Sequence, residues 1–349
     1  MSETSDVTEA VVKTARRIGG PGWLIIASVT LVMLVALLFG GVRLGAITPQ
    51  GRAFLEARTS GLKLGRIGRL KIEGLSGDIW RDFGVGRLTI SDEKGVWLEA
   101  RDVHVVWRAT ELFGRRFHAD RITARQALVL RRPTLTPKGK SSAAPLSIDI
   151  DSFALRLVTR PEFSRQAGDF DVAGDYEMAR RGGQKGRLGV VSHLHAGDHL
   201  NLVFDLGRNK TLLLAADAQE ANGGAIAGAL GLSAERPFDL SAKANGTIER
   251  GAFTVLARSG DTTPLKAGGA WDPQGGSASG RIDLSASSLT RRLERMFGAG
   301  AEFSVLGRKA GAFQDLKIQV DSPNLKLSGR GLGISASGSR APMASRSPP

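Results

Sequence analysis

A run of 20 residues without a charge, Trp23 to Val42 (WLIIASVTLVMLVALLFGGV), sets the first boundary on this chain. At a helical rise of about 1.5 Å per residue it spans about 30 Å, the thickness of a bilayer's hydrocarbon core, and predicts a transmembrane helix over 23–42. Lys13, Arg16 and Arg17 precede the span, and Arg43 alone follows closely. Positive charge concentrated before the span places residues 1–22 in the cytoplasm as a short tail and exports the remainder. A cleaved signal peptide is the rival reading. Its apolar region runs about 7 to 15 residues, and the best small-residue cleavage site here, Leu44-Gly45-Ala46, has Leu where a small residue is needed, so the uncleaved anchor is favoured.

Beyond the span the pattern changes. Thr48-Pro49-Gln50-Gly51-Arg52-Ala53-Phe54-Leu55-Glu56 offers an N-cap and a proline at the first helical position, which predicts a short helix. Period-2 alternation then dominates. Val103, Val105 and Trp107 alternate with Asp102, His104 and Arg108; Leu146, Ile148 and Ile150 alternate with Ser147, Asp149 and Asp151. The same alternation runs through Leu200 to Leu206, Phe238 to Ser241, Arg281 to Leu284 and Leu316 to Asp321. Such segments are strands with one dry and one wet face. Gly84, Asp92-Glu93-Lys94-Gly95, Gly207-Arg208-Asn209, Asn245-Gly246 and Pro273-Gln274-Gly275-Gly276 are turn signals at short intervals, which predict hairpins and an antiparallel meander. Glycine, 45 of 349 residues or about 13% against the usual ~7%, fits a turn-rich all-β chain and has no collagen period. Helices are expected at Ser288 to Phe297, with Gly298 as its C-terminal cap, and at Gly223 to Leu232.

Organisation follows from these signals. A membrane-proximal β segment spans 43–136, a polar break of small residues (PKGKSSAAP) forms a linker at 137–145, and a second β segment spans 146–330. Residues 331–349 (GLGISASGSRAPMASRSPP) lose the alternation and read as a disordered or truncated tail.

Composition narrows the chemistry. Zero cysteines exclude disulfides, thiolate nucleophiles and Cys-ligated metal sites. The net charge of +14 is concentrated in Arg43 to Lys140, where 20 basic residues face 10 acidic ones. On an exported segment that charge meets lipid headgroups or simply keeps the surface solvated, and nucleic acid is not an expected partner. His193, His195, Asp198 and His199 imitate a zinc-binding HxHxDH set, but Gly197 breaks the spacing and no later histidine follows, so a polar strand end is expected. GxxxxGK[ST], GxSxG and HExxH are all absent, and neither catalysis nor a cofactor is expected. Trp80, Trp97 and Trp107, with Arg81, Arg101 and Arg108 beside them, could stack on bases or sugars. Trp107 extends the apolar face of Val103 and Val105, so sheet core is the better reading.

Several segments in order carry a resemblance: Ile47-Thr48-Pro49-Gln50-Gly51-Arg52, Gly74-Leu75-Ser76-Gly77-Asp78-Ile79, Leu88 to Asp92, Trp97 to Trp107, Glu111 to Ile122, Leu128 to Pro133, and Glu220 to Leu232. Behind an N-terminal anchor, this series over about residues 20 to 335 resembles the N-terminal part of the TamB family of AsmA-like envelope proteins. Members of that family are much longer and end in a C-terminal β domain that engages the outer-membrane partner TamA. The resemblance implies a long antiparallel, curved β-sheet rolled into an elongated, β-taco-like groove with a few short helices. It implies a single-pass inner-membrane protein whose bulk is periplasmic and which takes part in phospholipid transport between the two membranes.

An apolar trough would remove a barrier of ~0.8 kcal/mol per exposed CH₂, on the order of 10 kcal/mol for an acyl chain of ~16 carbons. Groove candidates, read from alternation, are Val103, Val105, Trp107, Leu146, Ile148, Ile150, Leu202, Phe204, Leu316, Ile318 and Val320. The alternative is a translocation and assembly scaffold that hands over autotransporter or other β-barrel clients through exposed strand edges.

Overall fold

The computed structural model describes residues 48–63, 67–135, 146–180, 182–207, 210–310 and 313–334. The expected span at 23–42 and linker at 137–145 lie outside the described residues, among which no helix is long and apolar enough to cross a membrane. The chain divides into two compact units, Met1–Ala57 and Arg58–Pro349. Helix α1, Pro49–Thr59, begins in the first, where the Gly51 amide donates to Thr48 Oγ1 at 3.2 Å and the Arg52 amide to the Thr48 carbonyl at 3.0 Å. Thr48 thus caps a helix whose first position is proline, which has no amide hydrogen to satisfy.

The second unit is a single curved, open sheet of 17 strands. In chain order these are β1 (Leu62–Lys63), β2 (Arg69–Asp78), β3 (Asp82–Asp92), β4 (Gly95–Trp107), β5 (Arg116–Val129), β6 (Ser147–Thr159), β7 (Gly168–Met178), β8 (Gln184–Ser192) and β9 (His199–Leu206). They continue with β10 (Thr211–Glu220), β11 (Phe238–Thr247), β12 (Gly251–Ser259), β13 (Thr262–Asp272), β14 (Gly275–Asp283), β15 (Gly300–Ala310), β16 (Phe313–Asp321) and β17 (Lys326–Ile334). Each strand pairs with the next in sequence. The expected wholly antiparallel meander needs one correction: β5 and β6 run parallel, Arg116 opposite Ser147 and Val129 opposite Thr159. A parallel neighbour needs a crossover connection in place of a hairpin turn, and in sequence residues 130–146 separate the two strands. The two expected β segments are therefore one sheet joined along this seam.

Alternation gives every strand end one of two addresses. The capped end holds the connections 160–167, 193–198, 221–237 and 284–299, with the short helices α2 (Pro161–Ser164), α3 (Ala225–Ala229) and α4 (Arg291–Phe297). The bare end holds the turns 79–81, 179–183, 248–250 and 273–274, and the 3-10 turn Ala109–Gly114. Helix α3 is shorter than the expected Gly223 to Leu232 helix and lies on the apolar face: Ala225 packs with Phe170, Val172 and Val190, Ala227 with Ala218, Phe238 and Ala257, and Ile226 touches both groups. Helix α4 starts later than expected, at Arg291, and ends at Gly298 (φ 89°). Its apolar Leu293 and Met296 are exposed.

Two turn signals are corrected. Asn245-Gly246 lies inside β11, and the reversal comes after it, where Thr247 Oγ1 accepts the Glu249 and Arg250 amides at 3.2 and 3.1 Å. Gly84 lies inside β3, where a β-carbon would stand 2.7 Å from Ser76 Oγ. β17 continues through Ile334, so residues 331–334, the start of the expected tail, pair with β16; residues 335–349 lie outside the described set.

One irregularity runs across four strands at one level. Val103 and Ala100 pack in the same core cluster although three positions apart, as do Leu75 and Ile72, Val85 and Leu88, and Ala124 and Ala127. The extra residues, Gly74, Gly86, Asp102 and Arg125, fall out of the ladder together. Gly74 (φ 71°) and Asp102 (φ 49°) take left-handed backbone there. Strict alternation would turn the apolar face over at this level, and the aligned fault keeps it on one side.

Candidate functional site: an uncharged sheet face

Directly opposed residues in a ladder share a face, so registers trace surfaces across the sheet. Starting from Val105, one row reads Val105, Ile122, Phe153, Gly174, Leu188, Leu202, Ala216, Ala242, Val255, Ala267, Gly280, Phe303, Val320 and Leu327. Neither a charge nor a polar side chain interrupts it. The row beside it toward the bare end passes through Trp107, Ala119, Ile150, Tyr176, Gly186, Phe204 and Leu214, then Val305 and Ile318. A third, nearest the bare end, holds Phe117, Ile148, Met178, Gln184, Leu206 and Leu212, then Trp271 and Leu316. On the other side Val103, Leu155, Val172, Val190, Leu200, Leu240, Leu265 and Ile282 form a row toward the capped end.

Ten of the eleven groove candidates, drawn from four separate strands, therefore lie on one face: Val103, Val105, Trp107, Ile148, Ile150, Leu202, Phe204, Leu316, Ile318 and Val320. Leu146 sits half-buried just before β6. What alternation could not supply was the intervening lining, such as Phe153, Tyr176, Val255 and Trp271. Phe153 stands three positions after Ile150, across a register shift in β6, and in β13 glycine and alanine fill the positions before Trp271, so the apolar period is interrupted or weak there. Exposure varies across the face, and Leu327, in the same row as Val105, is exposed. Val103 and Val105 are 8% and 7% exposed, whereas Leu206 and Leu316 near the bare end reach 46% and 38%.

The charges on this face lie at its ends: Lys309, exposed, is two positions beyond Gly307 at the bare end, and carboxylates sit at the capped end. Glu220 is buried, and its two carboxylate oxygens accept the Ile226 and Ala227 amides at 2.8 and 2.7 Å, where α3 begins. Burial pushes its pKa up against the pull of these two donors. Asp198, also buried, accepts the Ala221 amide at 3.0 Å. These carboxylates fix a structural cap.

The opposite face is a lattice of ion pairs. Glu99 lies between Arg87 and Arg101, each at 2.7 Å, and their hydrogen bonds hold its carboxyl below the usual range. Arg156 pairs with Asp169 at 2.6 Å, Arg187 with Asp175 at 2.7 Å, and Arg330 with Asp315 at 2.7 Å. Most of these pairs are exposed and contribute about 0–1 kcal/mol each; their consequence is that this face prefers water. The histidine cluster divides in the same way. His193 faces Asp171 at 2.9 Å, His195 faces Asp198 at 3.5 Å, and His199 faces Asp217 at 3.1 Å, so no common ligand position forms.

His118 was not anticipated. It is buried beneath the 3-10 turn, with Nδ1 2.9 Å from Glu111 Oε1 and Nε2 3.3 Å from both Asp151 oxygens. His118, Asp120 and Asp151 bring ligand-type atoms within 4.8 Å of one another. Arg108 already occupies Asp120 at 2.8 Å, and Arg116 lies 3.3 Å from Glu111, which makes this a mixed-charge network. Burial alone would lower the His118 pKa, but the Glu111 and Asp151 carboxylates outweigh it and hold the ring above its usual value. Trp97 and Trp107 are sheet residues, donating from Nε1 to the Ile67 and Ile79 carbonyls at 2.8 and 2.7 Å.

No protein-family model, curated protein or solved structure matches this chain.

Proposed function

We propose that the uncharged face is a lipid track, and that the protein is a TamB-like, inner-membrane-anchored periplasmic component of phospholipid transport between inner and outer membranes. The observation that carries this reading is the continuity of the rows. The longest row crosses 14 strands, β4 to β17, which at a spacing of about 4.8 Å gives an apolar path of about 60 Å, twice the ~30 Å of a bilayer core. A pocket for one ligand needs no such length; a path along which acyl chains slide does. The trough form suits this role because chains lying on the rows would be shielded while headgroups stay in water. The chain carries no nucleotide-binding motif, so movement would follow a lipid gradient or a partner, with a TamA-like outer-membrane protein as the candidate.

The test is lipid extraction and native mass spectrometry of the full chain purified in a non-lipid detergent from a Gram-negative host. Phospholipid retained at defined stoichiometry, and lost from variants with charge in the rows, supports the track. A chain that holds no lipid beyond what such variants hold overturns it.

The assembly-scaffold reading has one favouring observation: β17 pairs only with β16 among the described residues, leaving an edge able to accept a client strand. Client peptides in place of lipid in the same preparation would favour it.

A further inference from the structure

The turn between β4 and β5 breaks the sheet's rule that apolar side chains face inward. Its 3-10 segment exposes Leu112 by 42% and Phe113 by 69%. The acid of this turn, Glu111, is drawn back toward the sheet, 2.9 Å from His118 Nδ1 and 3.3 Å from Arg116. The charge left at the tip is basic. Arg115, whose left-handed backbone (φ 57°) reverses the chain into β5, is exposed and makes no ion pair among the described residues.

The turn between β2 and β3 is held against this one. The Trp107 amide donates to the Arg81 carbonyl at 3.0 Å, and Trp107 Nε1 donates to the Ile79 carbonyl at 2.7 Å. This second turn presents Trp80, half-buried, and Arg81, exposed and likewise without an ion pair among the described residues. An aliphatic residue and aromatic rings interleaved with unneutralised arginines are what a headgroup layer rewards: apolar groups enter the interface while guanidinium groups meet phosphate.

We infer that the paired turns 79–81 and 109–115 form a docking surface for an anionic lipid bilayer. Charge favours a bilayer over a protein partner: Arg81 and Arg115 at the tips make no ion pair among the described residues, whereas the acids bordering the turns are engaged, Asp78 accepting the Trp80 amide at 3.0 Å, Asp82 lying 2.6 Å from His104 Nε2, and Glu111 held by His118 and Arg116. Phe117, the first residue of the bare-end row, lies two positions beyond Arg115, so a lipid leaving the docked bilayer would meet the track at once. That last step deepens the lipid-track reading and rests on it; docking itself does not.

The absence of cysteine makes the experiment direct. The full chain carrying Leu112→Cys, labelled with an environment-sensitive NBD probe, is reconstituted into phosphatidylcholine vesicles with or without phosphatidylglycerol and with doxyl-labelled quencher lipid. A second label at Met296→Cys, on the exposed face of α4, is the control. Docking predicts a blue shift and quenching at position 112 alone and only with phosphatidylglycerol. It also predicts that Arg81→Ser with Arg115→Ser lowers the docked-to-free ratio about five-fold per arginine, which is ~1 kcal/mol each. Water-like emission at 112, equal signals in neutral vesicles, or burial only on adding a second protein each overturns the inference. Lipid extracted from the same preparations separates the two readings: docking without retained lipid removes the track and leaves the surface, and retained lipid without docking does the reverse.

Discussion

The Phe204 ring lies across Gly186, its partner in the β8–β9 ladder, with ring carbons 3.1 and 3.2 Å from where a β-carbon would stand. The arrangement recurs on the same face. Phe153 covers Gly174, Phe253 covers Gly269 and Trp271 covers Gly251, each pair directly opposed. Without a β-carbon beneath it, a ring can lie along the backbone and does not stand off the sheet, so the lining is apolar yet thin.

Gly186→Ala places a β-carbon 2.7 Å from the Asp175 carbonyl oxygen and against the Phe204 ring. Backbone on one side cannot yield, so the ring must lift. The expected loss is about 1–3 kcal/mol, read as a lower urea midpoint at unchanged slope, together with less retained lipid.

Ile148→Asp puts a carboxylate in the bare-end row, where the native side chain is only half-buried. Because water can still reach the site, folding survives while an acyl chain meets a charge. The expected result is an unchanged circular dichroism spectrum with a marked loss of extracted phospholipid. Unfolding, or full lipid retention, would count against the assignment of this face.

Glu220→Ala removes both acceptors that hold the start of α3 and leaves two buried amides without partners. The expected cost is about 1–3 kcal/mol for each abandoned donor. Hydrogen exchange at Ile226 and Ala227 should accelerate far more than exchange in β2–β5, which would localise the damage to the capped end.

His118 predicts a pH dependence of definite sign. Its folded pKa is raised, so its contribution is fully present below the unfolded value of about 6.5 and is lost as pH rises through the folded value. The stability gap between the native chain and His118→Asn should therefore be largest in mild acid and shrink as pH rises. A gap that widens with pH would show that the ring is neutral in the fold. Titration of the ring by NMR gives the same answer independently.

Much of the architecture was legible because period-2 alternation is a direct image of a two-faced sheet. Val103, Val105 and Trp107 could be assigned to one face from spacing, and ladder registers extend that face to Ile318 and Val320. Three things escaped. The fault at Gly74, Gly86, Asp102 and Arg125 leaves no local signature, since an aspartate at positive φ reads as any exposed polar residue. The Asn245-Gly246 pair carries the strongest hairpin signal by composition, yet Thr247 offers two hydrogen bonds one step later and moves the turn. The Glu111–His118–Asp151 network joins residues up to 40 positions apart in sequence, brought together only by the parallel pairing of β5 and β6.

That parallel seam also divides the sheet by history of formation. Strands β1–β5 and β6–β17 are each built from antiparallel neighbours in sequence, so each can zip outward from its connections, the longer ones at 221–237 and 284–299 included. The seam alone has no antiparallel closure to grow from, because parallel partners such as Arg116 and Ser147 are not brought together by a turn between them. Two halves that mature separately and join at one line would show two kinetic phases, and substitutions on either side of the line would slow different ones.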